Sequence, residues 1–340
     1  MTRKSIVILL LLAGCTLSAQ ERTISKTTGK LFAMPGWDKS IEAATLGVDL
    51  SISYPVSQPG RKDYELGWKC NIAHIPYGPA GDRAGLSGFV TSPISDNLDF
   101  QLGTGFGAYT KPWQFTHDSN NKYISTCLNC VIDFGFVYSK RISDNNEMVI
   151  GAKFIHNSNG WIAKPNMGLN YVQVEVGYRI KDKKGRKLHF DEKYNSRTCH
   201  FVVLSAGICV PETGSATNRD VRPAYCIQTG YKYAVQDRRS IGLSLDIGYN
   251  FSDNFSYRQE GKRPPFPMDL GVCTLYESDF GPVSARIGIG YHFVQQVDYK
   301  RIYERAGVYF KLKNGDMAGL SVKARVARAD FIEWGYIINI

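Results

Sequence analysis

Beyond its first twenty residues, this chain of 340 has no apolar run long enough to cross a bilayer as a helix. Helical periodicity is scarce too, which excludes a helical membrane bundle and leaves strands to carry the structure. Metal-ligand spacings are missing. His74, His117, His189, His200 and His292 form no HExxH or similar pattern with their neighbours. No Gly-rich loop follows a strand and opens a helix, so nucleotide chemistry has no footing. Neither a metal nor an organic cofactor is implied. The chain has eight cysteines. Loss or lipidation of Cys15 leaves seven (Cys70, Cys127, Cys130, Cys199, Cys209, Cys226 and Cys273), and an odd number cannot pair completely. Cys127 and Cys130 form the only CxxC, with no second pair spaced to complete a zinc site. They read as a loop disulfide or as two unpaired thiols.

What the N-terminus does contain is an export signal. Arg3 and Lys4 precede an apolar stretch from Ile6 to Leu12, and small residues follow. Two cuts compete. Leu12-Ala13-Gly14-Cys15 resembles a lipobox, and Ser18-Ala19 before Gln20 resembles an ordinary signal-peptidase site. The second is favoured, because a protein embedded as a barrel needs no lipid anchor. Residues 1–19 are therefore expected to be a signal peptide and 20–340 the mature protein. The formal charge of +10 suits an anionic partner, whether phosphorylated lipid, acidic glycan or nucleic acid. In an exported barrel, interleaved basic and aromatic residues fit interface girdles better than a nucleic-acid surface.

Alternation is the strongest pattern. In SIGLSLDIGYNF, Ile241, Leu243, Leu245, Ile247, Tyr249 and Phe251 fall on one face, with Ser, Gly, Asp and Asn on the other. ARIGIGYHF from Ala285, LDFQLGTGFGAY from Leu98, VDLSISY from Val48 and AGVYFKLK from Ala306 repeat it. A period of two sustained over about ten residues, with Gly and polar groups on the second face, fits a strand between lipid and a wet or crowded lumen. Short turns (SDNNE from Ser143, VQDRR from Val235, NGD from Asn314) alternate with longer polar loops at 111–124, 182–198, 211–220 and 252–267. The expected fold is all-β: one transmembrane antiparallel β-barrel spanning 20–340, of about 14 strands, with 12 or 16 also compatible. The loop at 182–198 falls on the short-turn side, against the pattern. The chain ends EWGYIINI, where Trp334, Tyr336, Ile338 and Ile340 alternate to the last residue. That ending resembles the terminal signal of outer-membrane barrels, with Ile340 where an aromatic is usual.

One stretch does not fit a purely structural strand. FIHNSNGWIAKPNMGLNYVQVEVGY from Phe154 places His156 and Ser158 two apart, on one strand face. If that face is the outer one, an imidazole and a hydroxyl look into lipid, where unpaired polar groups are costly. An imidazole can take a serine proton and make the oxygen a nucleophile, the logic of acyl transfer. Asn159, Gly160 and the Pro165-Asn166 turn offer amide donors for an oxyanion. The substrate of such a site would be an ester held in the bilayer.

The wider pattern of HxSN, a small residue, then PNxG and a strand resembles the lipid A 3-O-deacylase (PagL-type) family. His156, Ser158, Asn159, Pro165, Asn166 and Gly168 carry the match, within roughly residues 148–180. In length and in the ADFIEWG ending, the chain is more similar to the longer bacterial proteins called acyloxyacyl hydrolases. The resemblance implies an outer-membrane barrel of a Gram-negative bacterium that hydrolyses an ester of lipid A, with lipopolysaccharide as partner and the His and Ser on the lipid-facing wall. The family's third catalytic residue, a Glu, falls by spacing on Asn170. A neutral amide can orient an imidazole but cannot offset imidazolium charge. Glu175 has the opposite parity and is expected to face the lumen. The competing reading is a non-catalytic barrel: a pore, or a structural or secretion-associated membrane protein.

Overall fold

A computed structural model describes residues 21–32, 44–57, 63–74, 80–112, 123–166, 168–181, 187–190, 194–211, 220–259, 261, 263, 266–297, 300–325 and 328–340. The signal segment and Cys15 lie outside them. Eight strands come first: β1 (Glu21–Phe32), β2 (Ala44–Val56), β3 (Tyr64–His74), β4 (Arg83–Pro93), β5 (Leu98–Tyr109), β6 (Leu128–Ser143), β7 (Asn146–Ser158) and β8 (Leu169–Lys181). Eight more follow: β9 (Cys199–Cys209), β10 (Arg222–Gln236), β11 (Arg239–Asn250), β12 (Asp269–Phe280), β13 (Val283–Val294), β14 (Ile302–Lys311), β15 (Met317–Arg325) and β16 (Arg328–Asn339). A single helix among the described residues, α1 (Phe251–Gln259), lies between β11 and β12.

The chain closes two barrels, where one of about 14 strands was expected. β8 pairs back to β1 over Glu21↔Lys181 to Phe32↔Asn170, so the first eight strands form a ring. β16 pairs to β9 over Ile332↔Ile208 to Asn339↔Phe201, so the last eight form another. Closure is what makes such a sheet viable in lipid, because every backbone donor and acceptor then finds a partner within the ring. Alternation cannot reveal where a ring shuts. The contact pattern divides the chain accordingly into Met1–Asn159 with Pro165–His189, and Gly160–Lys164 with Phe190–Ile340. The anomalous 182–198 segment is the connection between the rings. It leaves β8 on the short-turn side because an even-numbered ring ends at the end where it began.

In the first barrel, lipid-facing positions such as Val48, Trp68, Phe106, Phe136 and Val176 are exposed, and their neighbours in sequence point inward. The lumen is filled by charge pairs. Lys69 lies 2.7 Å from Asp133 and Lys153 lies 2.7 Å from Glu175, all four side chains being buried. Arg83 donates to Asn71, and Gln173 donates to Asp49. An eight-stranded ring is just wide enough for its own side chains, so this interior is a packed polar core and not an open channel. Three connections at one end are short (57–63, 94–97 and 144–145), while those at the other (33–43, 75–82, 110–127 and 159–168) are longer. In outer-membrane barrels the longer connections face outside the cell.

The second barrel follows the same plan. Leu243, Ile289 and Trp334 face outward, and the lumen holds Lys232 and Arg286 on Glu277 and Arg305 beside Asp246 and Glu333. α1 replaces part of the loop expected at 252–267. Its N-terminus is capped by Asn250, whose Oδ1 accepts the Ser252 N–H at 2.9 Å. Asp253 in the first turn and Arg258 in the last complement its dipole. No apolar stripe announces it, so the sequence pattern gave no sign of a helix.

Candidate active site on the wall of the first barrel

β7 carries the histidine and serine to the end of the barrel with the longer connections. Its buried residues are Val149, Gly151, Lys153, Ile155 and Asn157, joined at the strand end by Ser158, which is covered although it has the outward parity, while Ile150 and Ala152 are exposed. Phe154, His156 and Ser158 share the parity of the exposed set, so they belong to the outer wall. On β8, Val172, Val174 and Val176 are exposed and Gln173 and Glu175 buried, which places Asn170 on the outer wall as well. Antiparallel pairing sets Asn170 directly opposite His156. The His156 Nδ1–H donates to Asn170 Oδ1 at 2.8 Å. That bond fixes the tautomer in which Nε2 is a bare acceptor. Glu175, one parity step away, is held inside by Lys153.

The connection after β7 builds the surroundings of Ser158. The Asn159 N–H donates to Asn166 Oδ1 at 3.2 Å, which turns the other end of that amide toward the serine. Asn166 Nδ2 then donates to Ser158 Oγ at 3.0 Å. Asn166 thus places a donor beside the oxygen that would attack, where charge would develop on a bound ester. Asn159 supports the turn through two hydrogen bonds. Its N–H is engaged by Asn166, and its own side chain donates to Ser125 Oγ at 3.2 Å, so it braces the turn. Gly160 has φ 64°, and Trp161 adopts the left-handed region at φ 69°, so the chain reverses sharply here. Beneath the site Ile124, Val131, Ile155 and Leu169 form a buried apolar cluster with Ala80 and Tyr109.

Two contributors were not assigned from sequence. Ser125, far away in the chain, carries no motif. Gly168 belongs to the matched pattern, but its role is visible only in space. It has φ 76°, and a Cβ there would lie 2.8 Å from His156 Cε1. Its N–H donates to the Tyr123 carbonyl. Only glycine lets the backbone pack against the imidazole in this conformation. Gly168→Ala is therefore expected to displace the ring by a large fraction of an ångström and lower turnover about 10²-fold. The barrel should stay folded. Ester release by purified protein, with heat-dependent gel mobility as the folding control, checks this; a native rate would remove Gly168 from the site.

Cys127 and Cys130 are two free thiols, which settles the choice left open above. Cys130 lies in β6 on the outer wall, directly opposite Ser158 in register. Ile132 stands opposite His156 in the same way, and the rings of Phe134 and Phe154 lie 5.2 Å apart further down the strands.

Residues 45–179 match the family model described as lipid A 3-O-deacylase (PagL). Residues 199–340 match the model described as acyloxyacyl hydrolase, C-terminal domain. The first span lies in the first barrel, and the second starts where β9 starts. Among solved structures, the chain is similar to the crystal structure of the outer membrane enzyme PagL at 16% identity, covering 46% of this chain and 98% of that one with a TM-score of 0.32. A de novo designed transmembrane β-barrel is similar at 13% identity, over 48% of this chain and 98% of that one, with a TM-score of 0.29. A mutant Rh. blastica porin is similar at 9% identity, over 94% and 99%, with a TM-score of 0.20. No curated protein matches the chain.

Proposed function

We propose, for a chain that belongs to the lipid A 3-O-deacylase (PagL) family over residues 45–179 and to the acyloxyacyl hydrolase C-terminal family over residues 199–340, that it is a serine esterase of the outer membrane that removes an ester-linked acyl chain from lipid A. Membership makes the protein an outer-membrane β-barrel of an ester-hydrolase family; the assignment of a nucleophile is our reading of the site. One observation carries it: His156, held by Asn170 at 2.8 Å, shares the lipid-facing wall with Ser158.

In this reading His156 Nε2 takes the proton of Ser158 as Oγ attacks the ester carbonyl. The carbonyl π electrons move onto oxygen, and in this reading Asn166 Nδ2, which donates to Ser158 Oγ before attack, passes its hydrogen bond to that oxyanion. Collapse expels the sugar alkoxide, which takes the proton from the imidazolium. Water, activated by the same Nε2, then hydrolyses the acyl-serine and regenerates the enzyme. Asn170 holds the ring throughout, but as a neutral amide it leaves the imidazolium charge largely uncompensated. The outward position of the site suits an ester embedded in the membrane, because the substrate reaches it laterally without entering the barrel. Lipopolysaccharide is accordingly the partner. The scheme uses no cofactor.

Mass spectrometry of lipid A tests the reading. Cells with the gene should yield lipid A lighter by one acyl chain than cells without it, and purified protein should release the same fatty acid from lipopolysaccharide in detergent. Identical spectra, together with no release in vitro, would return the protein to the non-catalytic alternative.

A further inference from the structure

The surroundings of Ser158 differ sharply from side to side. Toward β8 stands Gly168, whose α-carbon packs on His156 and whose neighbour Asn166 occupies the serine oxygen. Along the strand toward the membrane interior stands His156. In the other direction the chain enters the turn that begins at Asn159, in which Asn159, Lys164 and Asn166 are mixed with Trp161, Ile162 and Ala163. The β6 side is apolar. There Cys130 faces Ser158, and Phe106 on β5 faces Cys130 in turn. Directly opposed residues of an antiparallel pair have Cβ atoms about 5 Å apart, so the three side chains form one continuous row. Phe106 is half exposed and Cys130 half-buried, both on the outer wall. Ile132 and the Phe134–Phe154 pair extend this surface downward.

From this arrangement we infer that the Phe106–Cys130–Ser158 row is the approach by which the acyl chain reaches the nucleophile, and that the small side chain at 130 sets how much acyl bulk can be seated beside the carbonyl. The inference rests on the esterase reading above. The reasoning is one of matching surfaces. The sugar and its phosphates need polar, hydrated surroundings, whereas the acyl chain needs apolar wall. The oxyanion donor and the base already hold two sides of the serine. The first carbons of the chain must then pass over Cys130, which packs as a small apolar group. Phe106 bounds the passage and Ile132 lies beside it. Cys130 is here a specificity-determining residue and takes no part in proton transfer.

The test compares two esters on the purified full-length protein in detergent: native lipopolysaccharide and p-nitrophenyl acetate. Cys127→Ala, an exposed thiol outside the row, should keep both within about 3-fold. Cys130→Phe should lower kcat/KM for the long acyl chain at least about 10-fold while leaving acetyl hydrolysis within about 3-fold, since bulk in an apolar site discriminates by that order. Long-chain release at the native rate in Cys130→Phe would overturn the inference, as would equal loss of both esters in a folded barrel. A second arm avoids substitution at 130. In protein with Cys70, Cys127 and Cys199 replaced by Ala, benzyl methanethiosulfonate should form a mixed disulfide at Cys130, confirmed by mass. Long-chain release should fall at least about 10-fold and return on reduction. Full modification without loss, or a thiol that does not react in the folded protein, would each contradict an approach over Cys130. Ser158→Ala separates the two levels. If it still cleaves both esters, the esterase assignment itself fails, whatever Cys130 does.

Discussion

Ser158→Ala and His156→Ala should each lower ester release at least about 10³-fold, and the double variant should be little worse than either one. The non-additivity is the sharper half of the expectation. If His156 acts only by taking the Ser158 proton, removing the serine leaves the imidazole nothing to do, and the second deletion costs almost nothing more. Each residue is one side chain on the outer wall, outside the buried ion pairs of the lumen. Folding should therefore be preserved, which unchanged heat-dependent gel mobility would show. Two single variants that release acyl chains at the native rate would place the chemistry elsewhere. Losses that multiply in the double variant would mean two independent roles, and the proton relay would be wrong.

The strands were readable because lipid and a packed lumen impose opposite demands on alternate residues. SIGLSLDIGYNF states those demands in full, and β11 runs Arg239–Asn250 as its alternation requires. Where alternation stops being informative, the reading stopped too. Nothing in the side chains of β8 says whether its free edge meets β1 or a ninth strand, since closure is made by backbone hydrogen bonds that any residue supplies. The one clue was the polar segment at 182–198 on the wrong side for a loop. It made no sense in a single barrel, and it is required once the first eight strands close on themselves. α1 was hidden for a similar reason, as its start depends on the Asn250 cap and not on an apolar face.

The site divides along the same line. His156, Ser158 and Asn170 could be placed on one wall from parity and from the family pattern, and pairing across β7 and β8 puts His156 and Asn170 face to face. What parity cannot supply is the third dimension of the turn. Asn159 and Asn166 look equivalent in sequence, two amides near a serine. In space, one braces the turn and the other points its amide at Ser158 Oγ, because the Asn159 N–H takes the acceptor end of Asn166. Ser125 and the close approach of Gly168 to the imidazole are long-range consequences of the ring, which brings the end of the β5–β6 connection beside the β7–β8 turn.

Asn170 stands where the resemblance to the lipid A 3-O-deacylase family implies a Glu, and a substitution there should be instructive. Asn170→Ala frees the imidazole to rotate and to adopt either tautomer. Turnover should fall about 10²-fold or more with KM nearly unchanged, since Asn170 reaches the substrate only through His156. Asn170→Asp keeps the shape and puts a carboxylate oxygen where Oδ1 now accepts the His156 N–H. The imidazolium formed during attack would then have a compensating charge, so kcat should rise, by about 10-fold if the gain is near 1.4 kcal/mol. The same change carries a cost. Asn170 is buried, and its Nδ2 has no hydrogen-bond partner among the described residues. In the aspartate this position becomes a half-satisfied anion, and stability should drop by about 1–3 kcal/mol. Opposite movement of kcat and of the unfolding midpoint is the signature of a weakened third member. A native rate in Asn170→Ala would show instead that the ring is held by its packing on Gly168. If Asn170→Asp proved both slower and less stable, the amide would be the preferred partner here and the absence of a carboxylate no defect.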